Sequence, residues 1–181
     1  MTKSIDENFD LWRKSLARIK EELRQLPDDE RSWLAEHLRQ VQQLQRQIHG
    51  FFEQADGASR CLACNGACCE KGRNHLTLVN LLGFLLTGTE PPEPDFAATC
   101  PFLTAAGCCL DVERRPFNCV TFNCEAVEDA LDEASRAAFY LQERRLRQLY
   151  EAFDRRYAGS SLRGLLIRAE RLGERPFLDR L

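Results

Sequence analysis

The sequence predicts a mainly α protein: an N-terminal helical hairpin and C-terminal helices packed around a loop-rich cysteine centre suited to binding metal. Apolar residues recur at three- and four-residue steps toward both ends of the chain, and no segment alternates apolar and polar residues as a strand would. All nine cysteines fall between Cys61 and Cys124. With 181 residues, 44% hydrophobic and 29% charged, the chain suits one domain with a sizeable core. Its expected parts are the hairpin at 1–57, the cysteine region at 58–125 and the C-terminal helices at 126–181.

Phe9, Trp12, Leu16, Ile19, Leu23 and Leu26 form one stripe of a first helix, which Pro27 stops because proline has no N–H to give. Asp28, Asp29 and Glu30 offer a cap and an acidic first turn to a second helix, striped by Leu34, Leu38, Val41, Leu44, Ile48 and Phe51. So short a connection predicts an antiparallel pair packed on the rest of the domain, with Trp12 and Trp33 in the core. Small and polar residues from Glu53 to Arg60 predict a loop. Thr77 then caps a short apolar helix ending near Gly88, and PPEPDF breaks the regularity. From Glu125 a long helix is expected with Val127, Leu131, Ala134, Ala138, Leu141, Leu149 and Phe153 inward. A last helix runs from about Leu162 to Leu172, with Gly173 as its stop.

The apolar stretch Leu76 to Leu86 is far short of the roughly 20 residues that span a bilayer, so no membrane is expected. The start, MTKSIDENFDLWRKS, lacks the basic and then apolar regions of a secretory signal, which points to the cytoplasm. From Arg136 to Leu181 eleven Arg stand against six Asp or Glu, so that end is basic. Long Arg side chains cover apolar surface while keeping their charge in water, so a solvated helical face is expected ahead of a nucleic-acid site. The helical surfaces leave room for a protein partner.

In a reducing cytosol nine cysteines do not make a disulfide framework, which puts metal ligation ahead of disulfides and of plain packing. CLACNGACC places Cys61, Cys64, Cys68 and Cys69 within nine residues, and a CxxC pair can turn both sulfurs onto one ion. Gly66 permits the positive φ that brings backbone N–H groups toward thiolate sulfur, with Asn65 beside it. Cys68 and Cys69, being adjacent, point in different directions: they bind separate metals, or one stays outside the coordination shell. The second block, CPFLTAAGCCLDVERRPFNCVTFNC, adds Cys100, Cys108, Cys109, Cys119 and Cys124, with Pro101 and Pro116 fixing turns around them. Four thiolates on one divalent ion leave a net charge of about −2, and Arg60, Lys71, Arg73, Arg114 and Arg115 are the cations nearby in sequence. His75 is a candidate ligand or supporting donor, whereas His37 and His49 lie on the hairpin. All-thiolate sets suit tetrahedral zinc and iron–sulfur clusters alike. A cysteine unused by metal and near Arg would be a nucleophile, but no base accompanies it by motif. No catalytic residue is assigned, and an enzyme is not the leading expectation.

Taken together, CLACNGACC, CPFL and CCLDVERRPFNC resemble the YkgJ-type cysteine cluster family, described as zinc- or iron-chelating, over residues 61–124. The resemblance implies a ligand set of Cys61, Cys64, Cys68, Cys69, Cys100, Cys109, Cys119 and Cys124, and leaves Cys108 as an extra thiol. Arg115-Pro116 matches the family's Arg-Pro: either a simple turn with an exposed charge or a guanidinium hydrogen-bonding near thiolates. Val112 stands where the family usually has Tyr, and Val120 where it has Arg. More distantly, the array is similar to that of flagellin lysine N-methylases, which implies an iron–sulfur cluster, of the four-iron type, ahead of zinc. Arg115 and His75 would support such ligands from outside.

The expected function is a cytoplasmic metal-binding protein holding an iron–sulfur cluster or zinc through its two-block cysteine array. One alternative is a protein lysine methyltransferase-like enzyme with an iron–sulfur cluster. That would need a pocket for S-adenosylmethionine, and no strand, Gly-rich turn and helix is present to form one. The other is a zinc-stapled RNA- or protein-binding adaptor that uses the Arg-rich last helices.

Overall fold

In a computed structural model of the chain, residues 3–64, 67–157 and 159–180 are described. The fold is mainly α as expected, with eight α-helices, two 3-10 segments and one two-stranded hairpin among the described residues. α1 (Ile5–Gln25) opens on a capping box: the Ser4 hydroxyl accepts from the Glu7 N–H at 3.2 Å, and the Glu7 carboxylate accepts from the Ser4 N–H at 2.7 Å. α2 (Asp28–Gln54) begins directly after Pro27, which holds the cap position without a side-chain bond. The three acids therefore act as first-turn charge rather than as a cap.

Pro27 separates the two helices, and each gains its principal neighbour from the far end of the chain. α2 packs on α7 (Glu133–Arg156), and α1 on α8 (Leu165–Leu172). Aromatic side chains explain the choice: Trp33 and His37 on α2 meet Phe153 at ring distances of 6.2 Å and 5.9 Å, and Phe51 meets Phe139 at 6.1 Å. Glu30, 1% exposed, locks the same junction. Its carboxylate accepts from Arg156 Nε at 2.6 Å and from the Tyr157 hydroxyl, and Arg180 lies 3.2 Å away. Trp12 is core as expected, whereas Trp33 is half-buried and stacks on His37.

Residues 53–60, expected as a loop, are largely helical. After Asp56 at φ 50°, α3 (Gly57–Ala63) follows α2 almost without a break. Gly57 leaves space for the Phe52 ring, which a Cβ there would meet at 2.4 Å. α4 (Leu78–Leu85) is the apolar segment after Thr77, and it forms the buried centre, with Leu78, Leu81 and Leu82 fully enclosed. The hairpin of β1 (Leu103–Thr104) and β2 (Gly107–Cys108) pairs Leu103 with Cys108. Its strands of two residues are too short to show alternation in a sequence. α5 (Phe117–Thr121) and α6 (Glu125–Glu128) complete the cysteine region.

The long helix expected from Glu125 is broken between α6 and α7, because Asp132 caps α7 by accepting from the Ser135 N–H at 2.7 Å. Phe139, Leu146, Tyr150 and Phe153 set the inward face of α7, which turns Ala134 and Leu141 outward against expectation. Val127 and Leu131 instead make a small separate core with Ala55. Part of the basic end is structural rather than solvated: Arg156 pairs with Glu30, and Arg168, 4% exposed, donates to the Phe177 carbonyl at 2.9 Å. No helix among the described residues is long and apolar enough to cross a membrane.

Candidate metal centre

The cysteines lie on short elements or beside them. Cys61 lies on α3 and Cys64 at its end; Cys68 and Cys69 share the 3-10 helix Ala67–Asn74; Cys100 precedes β1. Cys108 ends β2, Cys109 follows it, Cys119 lies on α5 and Cys124 caps α6. All nine thiols are free. Asn65 and Gly66, and the side chain of Lys71, lie outside the described residues.

The fold brings segments of the two blocks together: α3, with Cys61, lies against α6, which begins after Cys124, and Gly72 on the 3-10 helix of Cys69 lies against Cys100 Sγ. Burial pushes the Cys61 thiol pKa up, and the nearby Cys68, Cys64 and Cys124 thiols push it further, while Arg115 opposes them. The Cys64 thiol donates to the Cys61 carbonyl at 3.5 Å. Cys69 is pushed up to about 12, first by burial, then by Cys68, which also hydrogen-bonds it, and then by Cys100 and Cys108. Cys119 still meets solvent but is ringed by protein, which pushes its pKa up to about 12; Cys108, Cys100 and Cys69 add to this and Arg115 opposes it. Cys100 and Cys109 are raised by burial first, and each has Cys108 as a neighbour.

His75 Nδ1 lies 3.4 Å from Cys119 Sγ, and burial holds the imidazole pKa down, favouring the neutral ring. Gly72 is glycine for a local reason: a Cβ there would stand 2.9 Å from Cys100 Sγ and 4.0 Å from His75 Nδ1.

Arg115 is the cation that opposes the upward shift at both Cys61 and Cys119, and it is half-buried rather than an exposed turn residue. Its backbone is tethered twice, its carbonyl accepting from Gln45 Nε2 at 2.6 Å and from Asn80 Nδ2 at 2.9 Å. Its own Nε donates to the Leu110 carbonyl at 3.0 Å. Other nearby cations are committed elsewhere: Arg60 to the Ala55 carbonyl at 2.7 Å, Arg73 to the Phe96 carbonyl at 3.4 Å, and Arg114 to Asp111 at 2.6 Å.

Sequence reasoning missed three supporting residues. Asn80 and Gln45 are fully enclosed polar groups on apolar stripes, and Gln45 falls in the helical series 34, 38, 41, 45, 48, a signal that a polar residue there has a buried partner. Asn123, next to Cys124, keeps a buried Nδ2 donor with no hydrogen-bond partner among the described residues.

No family model, curated protein or solved structure matches this chain.

In kind, free thiols, a neutral imidazole, an Arg and an unpaired amide donor fit a thiophilic metal. In spacing, no three His, Cys, Asp or Glu side chains among the described residues are grouped so that they could hold an ion as they stand. The Cys69 and Cys119 thiols, both pushed up to about 12, hold their protons at neutral pH.

Proposed function

We propose that this chain is a metal-binding protein whose cysteine face holds an iron–sulfur cluster or zinc. The convergence of the two sequence blocks carries the proposal: α3, with Cys61, lies against α6, which begins after Cys124, and Gly72 on the 3-10 helix of Cys69 lies against Cys100 Sγ. Thiolates are soft ligands that favour zinc and iron–sulfur clusters over hard cations. Arg115 opposes the raised thiol pKa of Cys61 in the first block and of Cys119 in the second, and would offset the negative charge of a thiolate site. The motif resemblance to YkgJ-type chelating proteins supports the same function. Zinc would supply a cross-link between elements, and an iron–sulfur cluster would add one-electron chemistry. The protein would work in a reducing compartment such as the cytoplasm, where thiols stay free.

The test is to purify the full chain without oxygen, record its visible spectrum, and count iron, sulfide and zinc per chain. A broad band near roughly 400 nm with matching iron and sulfide supports a cluster. A colourless protein with stoichiometric zinc supports the structural ion. A folded protein that takes up neither would end the proposal.

A further inference from the structure

We propose that the cleft between Asn74 and the start of α8 binds a small phosphomonoester, its phosphate held by Arg163 and Arg171. This site is independent of whether the thiols hold a metal.

The cleft has a volume of about 420 Å³, within the range of small-ligand sites. Three segments wall it: Asn74 at the end of the 3-10 helix, Asp154 near the end of α7, and the stretch from Gly159 into α8. Asp154 shapes the loop. Its Oδ1 accepts from the Ser160 N–H at 2.9 Å and from the Ser161 N–H at 2.7 Å, which folds the chain back at the end of α7. Gly159 takes φ 64°, and a Cβ there would meet Arg163 Nη1 at 2.7 Å, so only glycine lets the guanidinium lie against the loop. The Leu165 N–H donates to the Leu76 carbonyl at 2.7 Å, which fixes the start of α8 beside the segment that follows Asn74. Ile167 and Arg171, four residues apart, share one face of α8, and both line the cleft.

Two guanidiniums meet one carboxylate in this cleft, a local excess of positive charge. Neither Arg163 nor Arg171 has a side-chain hydrogen bond or ion pair among the described residues. Other arginines of the chain are committed, Arg147 to Glu143 and Arg114 to Asp111, and Glu170, beside Arg171 in sequence, is taken up by Lys3 at 2.8 Å. Planar guanidinium forks match the oxygens of a phosphate. Gly164 holds the cap position of α8 without a side-chain bond, so the helix dipole adds to the same charge. The rest of the cleft suits more than a bare anion. Leu162, 48% exposed, and Ile167 offer an apolar wall, and Asp154 Oδ2 accepts no hydrogen bond among the described residues, leaving it for a ligand hydroxyl. A phosphate on a hydroxylated carbon frame, as in a sugar phosphate, uses all three features.

Calorimetric titration of the full-length protein with ribose 5-phosphate, inorganic phosphate and ribose tests the site. Ribose 5-phosphate should bind, inorganic phosphate should bind about tenfold more weakly, and ribose should not bind. Arg163→Gln and Arg171→Gln should each weaken ribose 5-phosphate about tenfold or more, whereas Arg144→Gln, an exposed position on α7 outside the cleft, should leave it unchanged. Far-ultraviolet circular dichroism checks that each variant folds. No binding of either phosphate probe, or wild-type affinity in both cleft variants, would overturn the proposal. An equal loss in Arg144→Gln would reduce the binding to general attraction by basic surface and overturn the site. Inorganic phosphate binding as tightly as ribose 5-phosphate would refute the organic ligand. Should a cleft variant fail to fold, hydrogen exchange of the wild type decides: ribose 5-phosphate should protect residues 159–171, and protection confined to other segments refutes the site.

Discussion

Replacing Asn80 by Ala tests how the helical core positions Arg115. Asn80 is 2% exposed, and its Oδ1 accepts from the Thr77 N–H at 2.9 Å and from the Thr77 hydroxyl at 2.7 Å. Its Nδ2 donates to the Arg115 carbonyl at 2.9 Å and weakly to the Tyr150 hydroxyl at 3.4 Å. Truncation removes the capping bond at the start of α4, worth about 1 kcal/mol. It also leaves buried Thr77 donors without an acceptor, at about 1–3 kcal/mol. The Arg115 carbonyl keeps Gln45, so its loss adds little. The total is about 3 kcal/mol, and at roughly 2–4 °C per kcal/mol for a chain of this size the melting temperature should fall by about 6–12 °C. Thermal unfolding followed by circular dichroism measures it. Asn80→Asp keeps the acceptor for Thr77 but turns an oxygen toward the Arg115 carbonyl, so it should also be destabilised. A loss below about 1 kcal/mol in Asn80→Ala would refute the bonding of Asn80 to Thr77, and a wild-type melting temperature in Asn80→Asp would refute the tether to Arg115.

Gly72→Ala should lower metal content with little loss of helix, because its Cβ would displace Cys100 Sγ from 2.9 Å; unchanged metal binding would show that Cys100 is not a ligand. Gly164→Ala places a Cβ 2.3 Å from the Asn74 backbone carbonyl, where α8 docks on the 3-10 helix, and should cost about 1–3 kcal/mol in urea unfolding. Glu30→Ala strands the Arg156 and Tyr157 donors and should cost about 3 kcal/mol; a loss under about 1 kcal/mol would mean the cluster is not cohesive. Chiefly its bond to Arg156 holds the Glu30 carboxyl below its ordinary value of about 4.3, so this contribution is complete above that pH and is lost as pH falls through the lower folded value. His37 is held below its ordinary value of about 6.5, first by burial, so stability should be full above that pH and decline as pH falls and the unfolded chain takes the proton. The His37→Gln variant should flatten the decline in urea midpoints between about pH 7 and pH 5.5, and an unchanged slope would assign it to other groups.

Much of the architecture was legible because apolar periodicity survives in any context. The stripes of α1 and α2, the break at Pro27, and Thr77 and Gly173 flanking helices all appear where local chemistry requires them. Local rules failed where a neighbour decided. Ala134 and Leu141 lie outward because Phe139, Leu146 and Tyr150 claim the buried face of α7. Residues 57–63 wind into α3 once Asp56 takes a left-handed turn beside Phe52.

Residue type and spacing along one dimension suffice to make the chain helical and to set its nine thiols in two spaced blocks. Which thiol meets which was decided only in three dimensions. It depends on the 120° step between Cys68 and Cys69, on the hairpin that sets Cys108 and Cys109 on opposite faces, and on two buried amides that hold the Arg115 backbone. The two amide tethers join residues far apart in the chain, and neither spacing nor composition encodes the direction in which a side chain finally points.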